Sequence, residues 1–412
     1  MISKETHQVD WIGKLPKNWE HKPLRNLTYF INDNNSDLKF TNVLSLLKDI
    51  GVVPYEEKGN QGNKSKEDLS NYKLAYKNTI VVNSMNLKIG SVGLSKYDGC
   101  VSPVYYVLGI RKGNNIHYVN YLFQTREFQE YLGSFGRGIM EIREKISKDD
   151  MKIALIPKPP LATQDRIVEY LEKKIAIIDD QVAKNKKAIE LLVEYRASVI
   201  DAKSQPNSNW RIEKLKYHFE FSKGLSITKE NLVEEGLPVI SYGQIHSKTN
   251  LGTTITDDLI RYVPNEYLEN TNALVYKGDF IFADTSEDLE GVGNCVYNDK
   301  DSAIFAGYHT IILRAKNKNM NFFSYLFKSN YWRSQLRSMV NGTKLYSITQ
   351  GLLNQVKIYI PPLSEQKEIV SYLDKKCKHT DKVIAYRKAI IEKLEEYKKS
   401  LIFEVVTGKK DV

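Results

Sequence analysis

The chain has 412 residues, room for two or three domains, and its 42% apolar and 27% charged residues are ordinary for a globular protein. Its apolar runs are short, such as Ile175-Ala176-Ile177-Ile178, against the roughly 20 residues that a membrane-spanning helix needs, and residues 1–10 hold no apolar secretory core. Cys100, Cys295 and Cys377 stand alone, which excludes a disulfide framework and a CxxC zinc or redox centre; a reducing cytoplasm and no membrane are expected.

The formal charge of +10, from 60 basic and 50 acidic residues, favours an anionic partner such as nucleic acid. The charge is unevenly spread. Residues 1–155 hold 22 basic against 17 acidic side chains, and residues 204–357 hold 17 against 16.

In chain order, Asn18-Trp19 opens a region of short β-branched segments in which 79–82 and 104–110 read as strands. Tyr121-Leu122-Phe123 reads as the opening of a helix that ends before Gly136. Pro159-Pro160 then ends a strand, Thr163 is the expected cap, and residues 164–200 read as one long helix. The same order recurs. Asn209-Trp210 opens a second region, 279–283 and 310–313 read as strands, and Tyr325-Leu326-Phe327 precedes Gly342. Pro361-Pro362 follows, with Ser364 as the expected cap of a second long helix.

The helical parts are a repeat at a shift of 202. Pro159-Pro160-Leu161-Ala162-Thr163-Gln164 matches Pro361-Pro362-Leu363-Ser364-Glu365-Gln366, and 21 of the 48 positions from 156 to 203 are identical in the second copy. The regions before the helices share landmarks only. Two similar frames with different contents suggest one task performed twice on different targets.

Along the first helix Val168, Leu171, Ile175, Ile178, Val182, Ile189 and Leu192 alternate three- and four-residue spacing, with Asn185 and Arg196 at the remaining seam positions. In the second, Val370, Leu373, Ile384, Ile391 and Leu394 continue the pattern with Cys377 and Thr380, and Arg387 and Lys398 take the polar positions. The expected fold is α+β: two mixed α/β recognition domains alternating with two long helices that pair as an antiparallel coiled coil with pseudo-twofold symmetry. The expected divisions are 1–157, 158–204, 205–360, and 361–412 with its C-terminal tail. A helix over 164–200 is roughly 55 Å long at about 1.5 Å per residue. Such a pair is a ruler that suits half-sites about one DNA turn (~34 Å) apart.

Base edges are read by Arg, Lys, Asn and Gln, and phosphates by Lys, Arg and hydroxyls. The candidates are therefore Arg137, Arg143 and Lys145 around Gly136 and Gly138, and Lys344 and Tyr346 after Gly342. A second pair of clusters is Tyr242, Gln244 and His246 and, loosely matched in the first half, Lys64 and Lys66. Catalytic and metal-ligating sets are not expected. Asp49 with Glu56, Glu57 and Lys58 imitates a metal-nuclease spacing, but the second half has no counterpart. A self-contained nuclease and a non-specific coiled-coil DNA scaffold are the alternatives.

The chain resembles the specificity subunits of type I restriction-modification systems. The resemblance lies in Leu15-Pro16-Lys17-Asn18-Trp19, both Pro-Pro-Leu-x-x-Gln starts, the heptad helices, and the closing Ser400-Leu401-Ile402 and Val406-Thr407-Gly408-Lys409. The first copy departs from the pattern at Thr163 and lacks the Val-Thr-Gly-Lys ending. The resemblance implies two target-recognition domains on double-stranded DNA and a single copy of this chain per complex. It also implies docking of two modification subunits and of restriction subunits. S-adenosylmethionine, ATP and Mg are then expected on those partners and no cofactor in this chain.

Overall fold

The computed structural model describes residues 11–48, 50–59, 67–136, 145–316, 320–342 and 345–412. The chain forms two compact units, Met1–Asn185 with Ala389–Val412, and Lys186–Lys388. Each is built on the same four-stranded antiparallel sheet. In the first unit the strand order is Thr28–Ile31, Tyr105–Ile110, Ile80–Asn83 and Val92–Leu94. In the second it is Phe219–Lys223, Thr310–Ala315, Phe280–Ala283 and Cys295–Tyr297. The registers correspond: Val81 faces Val107 in one and Ile281 faces Ile312 in the other. The strands Ile80–Asn83 and Phe280–Ala283 are buried along their whole length, which explains their near-continuous apolar composition.

The second unit adds a mixed sheet of Arg261–Val263, Leu237–Ile240, Ile304–Ala306 and Leu274–Val275, with a parallel pairing of Val239 to Phe305. The first unit has a looser form of the same plan. Leu44–Leu47 pairs with Gly51–Pro54, Lys73–Ala75 pairs with Gly99–Val101, and a parallel bridge joins Val43 to Cys100.

Two short helices follow each central sheet, Ile116–Phe123 and Arg126–Gly133 in the first unit, Asn321–Leu326 and Asn330–Met339 in the second. The Tyr-Leu-Phe landmark therefore lies at the end of a helix, not at its opening. The reason is local. Asn115 caps the earlier start by accepting the His117 N–H. Afterwards the Thr125 hydroxyl donates to Leu122 O and the Ser329 hydroxyl to Leu326 O, both at 2.7 Å, and the chain breaks there. Phe128 and Trp332 then fill the same place in the two frames, each fully buried against the closing Phe, at 5.1 Å from Phe123 and 4.8 Å from Phe327.

The long helices are Leu161–Ser204 and Leu363–Val406, 44 residues each, or about 66 Å. They begin directly after the double prolines, so Thr163 and Ser364 lie inside the first turn and do not cap it. Pro160 O and Pro362 O already accept the N–H of Gln164 and Gln366 at 3.0 Å. The Gln164 and Gln366 amides donate back to Pro159 O and Pro361 O at 2.9 and 3.0 Å. That back-bonding is the physical reason for a glutamine three residues after each Pro-Pro-Leu start.

In the first unit Val168, Leu171, Ile178 and Val182 are buried and Ile175 is half-buried, in one core with Leu401, Ile402, Val405, Ile391 and Leu394. In the second, Ile200 shares a core with Leu373, Cys377 and Ile369, against which Val370 packs. Ile189, Leu192 and Ile384 are half-buried. The pairing in the second unit is antiparallel: Arg196 meets Asp381 at 3.1 Å while Lys203 lies over the Tyr372 ring at 4.9 Å. The counterpart pair at the 202 shift, Asp179 with Lys398 at 2.7 Å, is in the first unit. Truncating a fully buried seam leucine such as Leu171 or Leu373 costs about 2–5 kcal/mol.

The two helices end differently. After Val406 the chain turns at Gly408 (φ 71°), where the Lys409 N–H returns to Glu404 O at 2.8 Å. A Cβ at Gly408 would lie 2.5 Å from Pro16 and 3.3 Å from Trp19. Trp210, the second Trp landmark, instead donates its ring N–H to Glu365 at 2.9 Å. The matching position in the first copy is Thr163, so the departure there belongs to a different seat for Trp19.

Candidate nucleic-acid interface

One crossing recurs in both units. The segment before the capped helix Lys148–Ile153 passes the end of the central strand, and the Ile146 N–H donates to Ser84 O at 3.1 Å. In the second unit the segment before Gln350–Gln355 does the same, with Ile348 N–H on Asp284 O at 2.7 Å. Ser147 and Thr349 cap these helices, 202 residues apart. The backbone is shared and the side chains gathered at the crossing are not.

In the first unit the crossing is basic. Lys73 Nζ donates to Tyr105 O at 2.5 Å and stands 5.4 Å from the Tyr106 ring centre. Lys148 Nζ stands 5.6 Å from the same ring and donates to Asn32 Oδ1. The ring is held in place because the Tyr106 hydroxyl donates to Ile146 O at 3.0 Å. Burial, with the charges of Lys148 and Lys145, pushes the Lys73 ammonium down to about 8.

In the second unit the crossing is aromatic. Tyr242 lies 5.5 Å from Tyr308, 5.4 Å from His309 and 6.1 Å from His246, centre to centre. His309 has φ 54°, a left-handed backbone unusual for a residue with a Cβ, and its Nδ1 is 3.4 Å from Asp284. His246 Nε2 lies 2.8 Å from Thr285 O and its Nδ1 lies 3.1 Å from the Asn294 amide. Those two contacts fix the orientation of the His246 ring.

Of the candidates read from sequence, Lys145 is exposed at the first crossing, and Tyr242, His246 and Tyr346 are at the second, where Tyr346 pairs with Ser286 in a short ladder. Gln244 accepts the Ser241 N–H at 3.1 Å and so closes a capping box at the start of its short helix. Lys64, Lys66, Arg137, Arg143 and Lys344 lie outside the described residues. Lys73, Lys148, Tyr308, His309 and Asp284 are not among the sequence candidates. The 202 shift that aligns Ser147 with Thr349 is the available signal for Lys148 only; the others come from strands whose shifts differ.

Asp49 lies outside the described residues, while Glu56, Glu57 and Lys58 form a single short turn, Tyr55–Lys58, with Lys58 buried over the Tyr55 ring at 4.7 Å. Among the described residues no group of three His, Cys, Asp or Glu side chains is placed to hold a metal, and no helix is long and apolar enough to cross a membrane. Cys100, Cys295 and Cys377 are buried free thiols, and burial raises all three, Cys295 to about 11.

The family model described as type I restriction modification DNA specificity domain matches residues 16–191 and again 207–396. Similar curated proteins include the type I restriction enzyme MjaVIII specificity subunit of Methanocaldococcus jannaschii, 25% identical, covering 70% of this chain and 69% of that one. The putative MjaX specificity subunit of the same organism is 25% identical over 98% of this chain and 97% of its own length. Among solved structures, a chain from a study of complex assembly and conformational transition of the type I R-M system aligns over 95% of this chain and 98% of its own, at 17% identity and a TM-score of 0.69. The HsdS subunit from Thermoanaerobacter tengcongensis aligns over 96% and 98%, at 17% identity and a TM-score of 0.52. Both carry the same fold.

Proposed function

Because this chain belongs to the family of type I restriction-modification DNA specificity domains, we propose that it is the non-catalytic specificity subunit of such a complex and reads a bipartite, asymmetric site on double-stranded DNA. The observation that carries this reading is the recurring crossing, one backbone arrangement that presents lysines in the first unit and tyrosines with histidine in the second. Different chemistry on a common frame suits two different half-sites, since sequence is read by side chains at base edges while phosphate contacts position the reader.

The paired helices then serve as spacer and docking element for two modification subunits that methylate adenine, and restriction subunits join that core. S-adenosylmethionine, ATP and magnesium belong to those partners. One copy of this chain acts per complex, in the cytoplasm.

Methylation mapping of the host genome with and without this gene tests the reading. A bipartite methylated motif disappears on deletion, and exchanging residues 1–157 for those of a relative changes one half of the motif and leaves the other. A methylation pattern that is identical with and without the gene sinks the proposal.

A further inference from the structure

We propose that Lys73 and Lys148, with Lys145 beside them on the crossing segment, form a built phosphate site in the first unit, which grips one phosphodiester of the DNA backbone and has no equivalent among the described residues of the second unit. It rests on the reading of the first unit as a DNA reader.

The first support is how the cations are held. Lys73 and Lys148 flank one tyrosine ring at 5.4 and 5.6 Å, and that ring is fixed by its own hydroxyl bond to Ile146 O. Each ammonium gives one N–H to a neutral acceptor, Tyr105 O or Asn32 Oδ1, and keeps two for an incoming oxygen. The side chains are therefore aimed before any ligand arrives, so less rotamer freedom is lost on binding.

The second support is that no counter-charge stands beside these cations among the described residues. No carboxylate of a described residue lies within ion-pair distance of these three ammoniums; the neighbouring Lys152, over the Phe30 ring at 5.8 Å, is by contrast paired with Asp149 at 3.0 Å. Like charges gathered at the buried Tyr106 ring repel one another, and an anion removes that cost. Burial first, and that repulsion second, depress the Lys73 ammonium.

The third support is the contrast between the units. At the 202 shift Lys145 corresponds to Ser347 and Lys148 to Gln350, so the shared crossing carries the cations once. This also agrees with the uneven spread of charge along the chain.

The test uses the full chain and a fluorescein-labelled mixed-sequence duplex of about 40 base pairs, long enough for a site of two half-sites about one turn apart. Binding is followed by anisotropy across roughly 50–200 mM KCl. In Lys73→Gln/Lys148→Gln the slope of log K against log[KCl] becomes less steep by about 0.9, so the affinity lost across that range shrinks about 3.5-fold. Lys73→Arg/Lys148→Arg restores the slope, and a circular dichroism melt verifies that each variant is folded. Lys173→Gln/Lys187→Gln, an equal charge loss on the first long helix where both lysines are ion-paired, leaves the slope unchanged.

An unchanged slope in the Gln variant, with wild-type binding intact, overturns the phosphate site and leaves the DNA-reading proposal standing. An equal change in the helix control overturns it as well, since net charge alone is then responsible. A wild-type chain that does not bind the duplex overturns the DNA-reading proposal and the site together.

Discussion

At the crossing in the first unit, two lysines stand beside the Tyr106 ring; at the same crossing in the second, Tyr242, Tyr308 and His309 cluster beside Asp284. Around both crossings the frame is the same. The central sheets share strand order and register, the short helices break at equivalent hydroxyls, and the long helices start on the same glutamine bond. The side chains gathered at the crossing differ while the backbone that presents them is shared. A fold built this way can change its target without repaying the cost of a new core.

The comparison can be broken first in the core. Phe128→Ala and Trp332→Ala remove equivalent buried rings, and each is expected to cost its own unit about 3–5 kcal/mol. Calorimetry of the two variants should show opposite halves of the molecule losing stability. A single shared loss in both would mean that the units do not unfold separately.

The seam offers a sharper contrast. Arg196 and Asp381 are little exposed, at 10% and 28% of their side chains, whereas the counterpart Lys398 and Asp179 are at 31% and 55%. Burial raises the Asp381 carboxyl in spite of the guanidinium beside it. Arg196→Met leaves that carboxylate without its partner and is expected to cost about 3 kcal/mol, most of it recovered in Arg196→Met/Asp381→Leu. Lys398→Met costs less than about 1 kcal/mol, as an exposed pair does. Urea denaturation of the three variants measures this, and equal losses for Arg196→Met and Lys398→Met would erase the distinction.

The smallest effect is a pH dependence at Lys73 in the first unit, beside that of Lys328, which burial also pushes down to about 8 in the second. Lys73 titrates at about 8 when folded, against 10.5 in an open chain, with Lys145 and Lys148 as its charged neighbours and Tyr105 and Tyr106 still protonated. The unfolded chain therefore holds more protons between about pH 8 and 10.5, and stability rises with pH across that window. The destabilisation is complete below about pH 8. Thermal melts between about pH 8 and 9.5, below the tyrosine range, should show the rise in wild type and a flatter profile in Lys73→Met. A rise of the same size in both assigns it to another group.

Much of this frame is legible in the amino-acid sequence. The duplicated Pro-Pro-Leu-x-x-Gln starts, the heptad spacing and the β-branched strands are local patterns, and helix and strand periodicity express them directly. Val168, Leu171 and Leu373 are buried for the reason their spacing suggests. The caps are not legible in the same way. Thr163 and Ser364 have the right chemistry, but the carbonyl that accepts the first helical bonds belongs to a proline and carries no side-chain signal. The Tyr-Leu-Phe landmark closes its helix instead of opening it because Asn115 begins that helix earlier.

The repeat, the elements and the pairing surfaces thus follow from sequence, since all of them depend on neighbours within a few turns. Which side chains meet at each crossing is settled only by tertiary packing. Lys73 and Lys148, or Tyr242 and His309, are separated by more than sixty residues, and their strands align between units at shifts other than 202. The left-handed backbone of His309 likewise has no local sequence mark. Such contacts arise from the closure of the sheet and the loops across its end, which no periodicity along the chain encodes.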